Sequence, residues 1–256
     1  LQVRSSLIVP VLSQGSLYGL LILHHCLEPH SWEEKEISFA KEIAERLSIT
    51  LERAKIQLAR REDTRRSQVL KDITLKISGA LNSEGVFDVA VKEMRRAISC
   101  DRVIVYRFDP DWKGRIIAES VDNNYPSALG ARVDDPCFAD KYVEKYQRGR
   151  VQPTADIYQA GLTTCHLQQL EPFEVKANLV APILHKGKLL GLFVAHQCSG
   201  PRDWQQGEVD FFAQVATQVG LALERTDLLE QQNQREEQQR QAKEQLQRRA
   251  LELLME

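Results

Sequence analysis

The chain has 256 residues, of which 43% are hydrophobic and 27% charged, with a formal net charge of −2 and a pI near 6.4. This composition is typical of a soluble globular protein of more than one domain, and it shows no basic surface of the kind that binds nucleic acid. No run of 18 apolar residues predicts a membrane span. Five cysteines without zinc-type spacing, and the lack of a signal peptide, predict free thiols and a cytoplasmic location.

An internal repeat relates the start of the chain to its later part. The segment Leu7–Pro10 resembles Leu179–Pro182, at an offset of 182 − 10 = 172 residues. Further identities share this offset without a gap: His24 and His196, Cys26 and Cys198, Trp32 and Trp204. Because chance does not give so many identities at one offset, we expect two domains of one kind in tandem, the first of them truncated.

The repeat predicts four segments. They are residues 1–55, the C-terminal half of a truncated domain; residues 56–80, a linker helix; residues 81–230, a complete second domain; and residues 231–256, a C-terminal signalling helix. Because the pattern is already under way at Leu1, we expect the chain to be a piece of a longer protein.

In chain order, each copy of the repeat predicts a strand, a tight turn, a second strand and a helix. Residues 31–78 contain no Gly or Pro and predict one long helix, or two abutting helices, of about 70 Å. A helical period then predicts an amphipathic helix with four buried positions: Phe87, Val91, Met94 and Ile98. Strands are expected at residues 102–108 and 115–121, on either side of an Asp-Pro-Asp turn.

The last elements are a hairpin and a long helix. Residues 178–184 and 189–196 are apolar runs on either side of a turn. Asp203 is positioned to cap a helix whose apolar residues recur at spacings of three and four. The whole order predicts an α+β fold, an antiparallel sheet with helices on one face and long loops on the other, with long helices joining the domains.

The tail beyond Leu229 is rich in Gln, Arg and Glu. Its apolar positions, Leu246, Ala250 and Leu253, have the spacing of a helix seam, whereas the earlier seam positions are polar. Two interpretations remain open: a signalling helix that continues into an output domain, or a solvated helix.

Two cysteine-containing segments carry the candidate chemistry. Cys165 and His166 follow each other ahead of a buried strand, and Asp135-Pro136-Cys137-Phe138 sets a second thiol beside a carboxylate. Cys-His alone is a weak signal, since such a pair is more often a partly buried thiol next to a solvated imidazole. The two segments together, with His196 downstream, are more specific.

These segments resemble a known family. The framework looks like a GAF domain, and residues 65–230 resemble a cyanobacteriochrome, a phytochrome-related bilin photoreceptor of the Asp-X-Cys-Phe group. The resemblance rests on Asp135–Phe138, on Thr164–Leu167, and on the blocks at 175–180 and 191–202, in the order and spacing of the family. It implies the GAF fold and a covalently bound linear tetrapyrrole, phycocyanobilin or its isomer phycoviolobilin.

The resemblance also implies roles for single residues. Cys165 would form the stable thioether to ring A, with His166 against the pyrroles, and Asp135, with Asp134 as a second choice, would face the pyrrole nitrogens. Cys137, followed by Phe138, would add reversibly to the central methine carbon. The receptor would then photoconvert, by isomerisation between rings C and D, from a violet- or blue-absorbing state to a green-, teal- or orange-absorbing state.

Other positions stay open between structural and functional roles. His196 matches a histidine near ring D, but His24 at the same place in the first copy also favours a structural role. Cys100, and the pair Cys26 and Cys198, are interpreted as packing residues. Arg148, Arg150 and Lys141 are candidate partners for the propionates, and Trp112, Tyr142 and Tyr158 are candidate pocket aromatics.

The resulting hypothesis is a sensory segment and not an enzyme, apart from bilin attachment and possible bilin isomerisation. Its expected partners are the tetrapyrrole, a second copy bound through the long helices, and an output domain. The main alternative is a GAF module that binds a ligand such as a cyclic nucleotide or mediates dimerisation. A cysteine hydrolase is less favoured, because an adjacent imidazole rarely faces the thiol.

Overall fold

The computed structural model describes residues 2–133 and 142–255, with side chains up to residue 247. Two compact units divide the chain, residues 1–67 and residues 68–256, and the division falls within a helix. The described strands are β1 (Ser5–Ser13), β2 (Ser16–His25), β3 (Arg102–Phe108), β4 (Gly114–Val121), β5 (Arg132–Val133), β6 (Gln152–Thr154), β7 (Ala177–His185) and β8 (Lys188–Gln197). The described α-helices are α1 (Glu34–Ser78), α2 (Ser83–Ile98), α3 (Val143–Gln147), α4 (Thr164–Leu170) and α5 (Gln206–Met255). A 3-10 turn, Glu171–Phe173, follows α4.

The first unit is a hairpin packed on the start of α1. Strands β1 and β2 pair antiparallel and form a two-stranded sheet. Alternate residues of β1, Val9 and Val11, are buried against Ala40 and Ala44 of α1, as expected for a strand with one face on a helix. The opposite face of the hairpin is exposed, with Ile8 at 54% and Leu20 at 52%.

The second unit contains a six-stranded antiparallel sheet with the strand order β5-β4-β3-β8-β7-β6. One face packs on helices α2 and α5 and on the end of α1, through a core that includes Phe87, Met94, Phe193 and Phe212. Phe193 stacks on Phe212 with ring centroids 4.7 Å apart. The predicted α+β architecture, an antiparallel sheet with helices on one face, is confirmed.

The other face of this sheet, called the loop-side face below, carries a second apolar cluster. Its buried members come from the sheet and from the connecting segments: Ile104, Tyr106, Ile116, Ala128, Tyr146, Val180, Leu189, Leu192 and Val194. Phe173, from the 3-10 turn after α4, packs against this cluster. The loop-side face is therefore the side on which the segments carrying the predicted chemistry meet the sheet.

The predicted helix after residue 201 begins later than expected. It starts at Gln206, and Asp203 is not its cap. Glu208 takes the capping role, because its Oε2 accepts a hydrogen bond from the Gln205 backbone N–H at 3.0 Å. Among the described residues, no helix combines the length and apolar character needed to cross a membrane.

Candidate functional site

Cys165 lies in the first turn of α4. The hydroxyl oxygen of Thr163 caps this helix by accepting a hydrogen bond from the His166 backbone N–H at 3.3 Å. Cys165 and His166 are both partly buried, and the Gln169 Nε2 lies 3.9 Å from the Cys165 Sγ. The thiol is thus held by a local helix while it remains accessible.

The other described thiols lie in different environments. Cys100 and Cys198 are buried, and burial raises the pKa of Cys100 to about 12 and the pKa of Cys198 to about 11. Both thiols stay protonated at neutral pH, as expected for packing residues. Cys26 is exposed, so the packing interpretation is wrong for this residue. The Cys198 Sγ donates to the Phe173 carbonyl at 3.6 Å. The described part of the first unit has no residue in the corresponding place to cover Cys26.

His196 lies on β8 and is only 3% exposed. Burial is the main cause that lowers the pKa of His196 to about 3, and Arg102 and His166 lower it further. The imidazole is therefore neutral at neutral pH, and its Nδ1 has no hydrogen-bond partner among the described residues. His24, at the corresponding place in the first unit, is exposed, so the shared position does not give the two rings a shared environment.

Two further polar residues join His196 in a row across three adjacent strands. His196 on β8 pairs with Arg102 on β3 and with Asn178 on β7, so all three side chains lie on the loop-side face. Asn178 is 4% exposed, and its Oδ1 has no partner among the described residues. Buried polar atoms without partners are rare in folded proteins and call for an explanation. A polar ligand on this face would supply one.

The sequence did not single out Asn178 or Arg102 as site residues. Asn178 stands in an otherwise apolar predicted strand, and Arg102 begins another. A polar residue inside an apolar run was the signal available for Asn178. Which face each side chain occupies depends on the strand register, which the single sequence does not fix.

The candidate partners for ligand carboxylates separate in the structure. Arg150 lies with its guanidinium carbon 5.5 Å from the Tyr142 ring and 5.8 Å from the Tyr146 ring, both on the loop side. Arg148 is exposed and forms an i,i+4 ion pair with Glu144. Arg150 is therefore the better placed of the two for a ligand on the loop-side face.

The candidate aromatic residues separate in the same way. Trp112 and Tyr142 are partly buried against the loop-side cluster. Tyr158 is 51% exposed, with the Lys176 ammonium 5.3 Å from its ring centroid. Tyr158 is therefore not a wall of the loop-side cluster.

Several predicted site residues lie outside the described residues: Asp134, Asp135, Cys137, Phe138 and Lys141. Their roles stay predictions. The described chain reaches this segment at Val133, whose carbonyl accepts a hydrogen bond from the Tyr106 hydroxyl at 3.1 Å. Val133 therefore lies next to the loop-side cluster, to which Tyr106 belongs.

A cleft of about 310 Å³ lies elsewhere in the second unit. Residues from β7, from α5 and from the segment before β6 line it, among them Val151, Pro182, Leu184, Ala213, Thr217 and Leu221. Cys165, His166 and His196 are not part of its lining. Among the described residues, the cleft therefore brings together none of those predicted to bind a cofactor.

Comparison with known proteins gives a family for both parts of the chain. The GAF domain model matches residues 1–51 and 82–223. A protein of Synechocystis sp. (strain PCC 6803), named as a methyl-accepting chemotaxis protein, is 60% identical over 255 residues. The match covers 100% of this chain and 26% of that relative, so the chain spans about a quarter of its length.

Solved structures add a narrower similarity. The blue-light-absorbing form of the PixJ GAF domain of Thermosynechococcus elongatus is 47% identical, with a TM-score of 0.57, over 59% of this chain and 89% of that one. The green-light-absorbing state of the same cyanobacteriochrome domain is 45% identical, with a TM-score of 0.55, over 62% and 96%. A far-red-absorbing dark state with bound biliverdin IXα is 31% identical, with a TM-score of 0.58, over 62% and 99%.

Proposed function

This chain belongs to the GAF domain family, with structural matches to cyanobacteriochromes, and from that membership we propose that residues 81–230 bind a bilin covalently and act as a photoreceptor. The observation that carries the proposal is the loop-side face itself. Its sheet holds two buried polar atoms that lack partners among the described residues, the His196 Nδ1 and the Asn178 Oδ1, and Phe173, from the turn that follows the helix of the accessible Cys165, packs on it. A linear tetrapyrrole has an apolar body with polar edges, and such a face is suited to it.

Cys165 is the proposed attachment residue. Its Sγ–H bond would break, the Sγ would bond to one carbon of the exocyclic double bond of ring A, and the proton would go to the other carbon. No oxidant is needed for this addition. The two other described cysteines of residues 81–230, Cys100 and Cys198, are buried with raised pKa values, which supports Cys165 as the nucleophile.

The polar side chains of the loop-side face orient the ligand in this proposal. His196, neutral and buried, hydrogen-bonds one polar edge of the tetrapyrrole, and His166 lies against the pyrroles. Arg150, held beside two tyrosine rings, pairs with a propionate. When bound, phycocyanobilin or phycoviolobilin supplies light absorption and isomerisation of a double bond.

In this proposal a second thiol, that of Cys137, determines which wavelengths the receptor absorbs. We infer that the Cys137 Sγ, in the Asp-X-Cys-Phe segment, would add reversibly to the central methine carbon, with its S–H bond broken and the proton taken up by the unprotonated pyrrole nitrogen; the shortened conjugated system would absorb in the violet or blue. On release the sulfur would leave with the bonding electron pair, conjugation would be restored, and Asp135 would partner the pyrrole nitrogens, which would stay protonated. The blue- and green-absorbing states of the similar PixJ domain support this assignment.

The light signal is passed on to an output domain in this proposal. In this proposal the protein catalyses no turnover reaction, and the light-driven change biases α5, which continues to Met255. The 60% identical relative, named as a chemotaxis protein, supports an output domain of that kind. The long helices α1 and α5 would mediate dimerisation with a second copy.

Absorption spectroscopy tests this function. The chain is coexpressed with phycocyanobilin synthesis, and spectra of the parent and of Cys137→Ala are recorded before and after blue light. The parent is expected to start in the violet to blue and to convert to a longer-wavelength state, and Cys137→Ala to lack the blue state. A parent without a blue state and identical to Cys137→Ala would remove Cys137 from the mechanism. A colourless parent would contradict the photoreceptor and leave a ligand-binding or dimerising GAF module.

A further inference from the structure

We propose that Arg102 is a positioning residue of the bilin site: its buried guanidinium fixes the end of the Cys165 segment and the 122–129 loop relative to His196. This inference rests on the proposed function and assigns a role to a residue that does not itself need to touch the ligand. Arg102 is fully buried, with 0% of its surface exposed. A fully buried arginine is costly to fold and is retained where each of its donors has a partner.

The first arm of Arg102 holds the segment that carries the attachment cysteine. Its Nη1 donates to the Phe173 carbonyl at 2.9 Å, and the guanidinium carbon lies 5.8 Å from the Phe173 ring. Phe173 closes the 3-10 turn that directly follows α4, the helix of Cys165. The end of the segment that carries Cys165 is therefore tied to a strand residue 71 positions before Phe173.

The second arm of Arg102 holds the loop before β5. Its Nη2 donates to the Pro126 carbonyl at 2.5 Å, and its Nε donates to the Glu119 carboxylate at 3.0 Å. That carboxylate also accepts from the backbone N–H groups of Ala128 and Leu129, at 2.9 and 3.0 Å. The buried ion pair between Arg102 and Glu119 thus fixes the 122–129 loop at two places: Arg102 binds a carbonyl of the loop, and Glu119 binds two of its backbone N–H groups.

The same guanidinium acts on His196. Arg102 and His196 are directly paired on β3 and β8, and the positive charge of Arg102 helps to lower the pKa of His196. The other groups that face His196 among the described residues are His166, from α4, and the neutral Asn178, from β7. Arg102 therefore holds the attachment segment and adds to the effect of burial, the main cause, in keeping its partner on the sheet neutral.

Arg202 provides a matched control. It is also an inward-facing arginine with carbonyl and carboxylate partners: the Nη2 donates to the Ile98 carbonyl and to the Glu208 carboxylate, both at 2.7 Å. Arg202 contacts neither α4, the 3-10 turn nor the 122–129 loop in the described contacts. Its loss costs stability at a site away from the loop-side face.

The test compares Arg102→Met, Arg102→Lys and Arg202→Met in the full chain. Two quantities are measured: the rate at which the purified apoprotein attaches phycocyanobilin covalently, and the acid-side midpoint of the pH titration of the attached chromophore's absorption. Arg102→Met is expected to slow attachment about tenfold to a hundredfold, because misplaced reacting groups cost rates of this order. It is also expected to raise the midpoint, because the cation that disfavours protonation of His196 is gone.

Arg102→Lys separates the two effects. Lysine retains the charge but loses the planar fork, so attachment is slowed while the midpoint stays near that of the parent. Arg202→Met is expected to match the parent in both quantities. If Arg102→Met attaches bilin and titrates like Arg202→Met, Arg102 is only a structural residue and the inference is wrong.

Two further outcomes are kept distinct. If Arg102→Met does not fold, Arg102→Lys and Glu119→Gln decide, because both keep a positive charge at position 102 and weaken the fork contacts; attachment at the parental rate in both would overturn the inference. A parent that attaches no bilin contradicts the proposed function itself, whatever the variants do.

Discussion

The two hairpins of the molecule share their backbone and differ in their surroundings. Both carry a register shift at the corresponding place, after Val11 and after Ile183. In both, a residue with positive φ precedes a glycine in the turn, Gln14-Gly15 and Lys186-Gly187, which is typical of tight hairpin turns. The offset of 172 residues is therefore a structural repeat as well as a sequence repeat.

The helix that follows each hairpin is attached in the same way. The Gln14 N–H donates to the Glu52 Oε1 at 2.7 Å, and the Lys186 N–H donates to the Glu224 Oε1 at 2.6 Å. Each pair spans 38 residues. The sequence therefore encodes the same arrangement of hairpin and helix twice.

The two hairpins differ in the exposure of the face that points away from the helix, which in the second unit is part of the loop-side face. Ile8 and Ile22 are 54% and 47% exposed in the first unit, whereas their counterparts Val180 and Val194 are 9% and 7% exposed. The described residues that cover this face in the second unit come from the connecting segments and include Ala128, Tyr146 and Phe173. The bilin chemistry proposed here belongs to that cover and to the polar row beneath it, and not to the repeated scaffold.

The largest stability difference between the two units is expected in their cores. Phe193 is fully buried and stacked on Phe212, so Phe193→Ala should cost about 3–5 kcal/mol. Leu21, its counterpart in the first unit, is only partly buried, and Leu21→Ala should cost less than about 2 kcal/mol. Hydrogen exchange resolved by peptide measures each loss in its own unit. Equal losses would mean that the two hairpins are packed equally well against their helices.

A second difference concerns pH. Because the pKa of His196 is lowered to about 3 in the folded state, the unfolded chain takes up a proton near pH 6.5 that the folded chain does not. Stability therefore falls as the pH drops below about 6.5, by up to about 1.4 kcal/mol per unit. Urea unfolding between pH 7 and 5 measures this slope for the second unit.

Substitution assigns the slope to one residue. His196→Gln is expected to flatten the dependence, and His24→Gln, at the exposed counterpart, is expected to follow the parent. A slope that survives His196→Gln would place its origin in other groups.

The smallest predicted effect tests what the two units have in common. Glu52→Ala and Glu224→Ala each remove the acceptor of one turn N–H, and each should cost about 0.5–1 kcal/mol, since the hydrogen bond lies near solvent. Because the geometry is the same, the two losses should agree within a few tenths of a kcal/mol. Urea unfolding followed separately for each unit measures both, and a clear inequality would show that the attachment of the helix is not equivalent.

Much of the fold was predictable because its signals are local. The apolar runs around His185–Lys188 and the helical period from Phe87 to Ile98 each fall within one element, and the structure confirms both. The start of α5 was misplaced because Glu208, three residues beyond Gln205, replaces Asp203 in the capping role. Local patterns thus gave the elements better than their ends.

The candidate site was only partly predictable because it depends on contacts that are distant in sequence. Arg102 is buried through Phe173, 71 residues away, and Asn178 faces His196 through strand register. Cys26 and Cys198 match in sequence, yet only Cys198 is buried. Identical residues at one offset predict the same backbone, whereas the burial and the neighbours of each side chain determine its chemistry.

Mass spectrometry of the protein coexpressed with phycocyanobilin synthesis tests the central claim most directly. The peptide that contains Cys165 is expected to carry the mass of one bilin, with none on the peptides of Cys26, Cys100 or Cys198. Cys165→Ser should abolish the stable attachment that survives denaturation, and Cys26→Ser should leave it unchanged. A bilin found on the peptide of Cys26, Cys100 or Cys198, or retained on one of these three cysteines by denatured Cys165→Ser, would contradict the assignment of the site to the second unit's loop-side face.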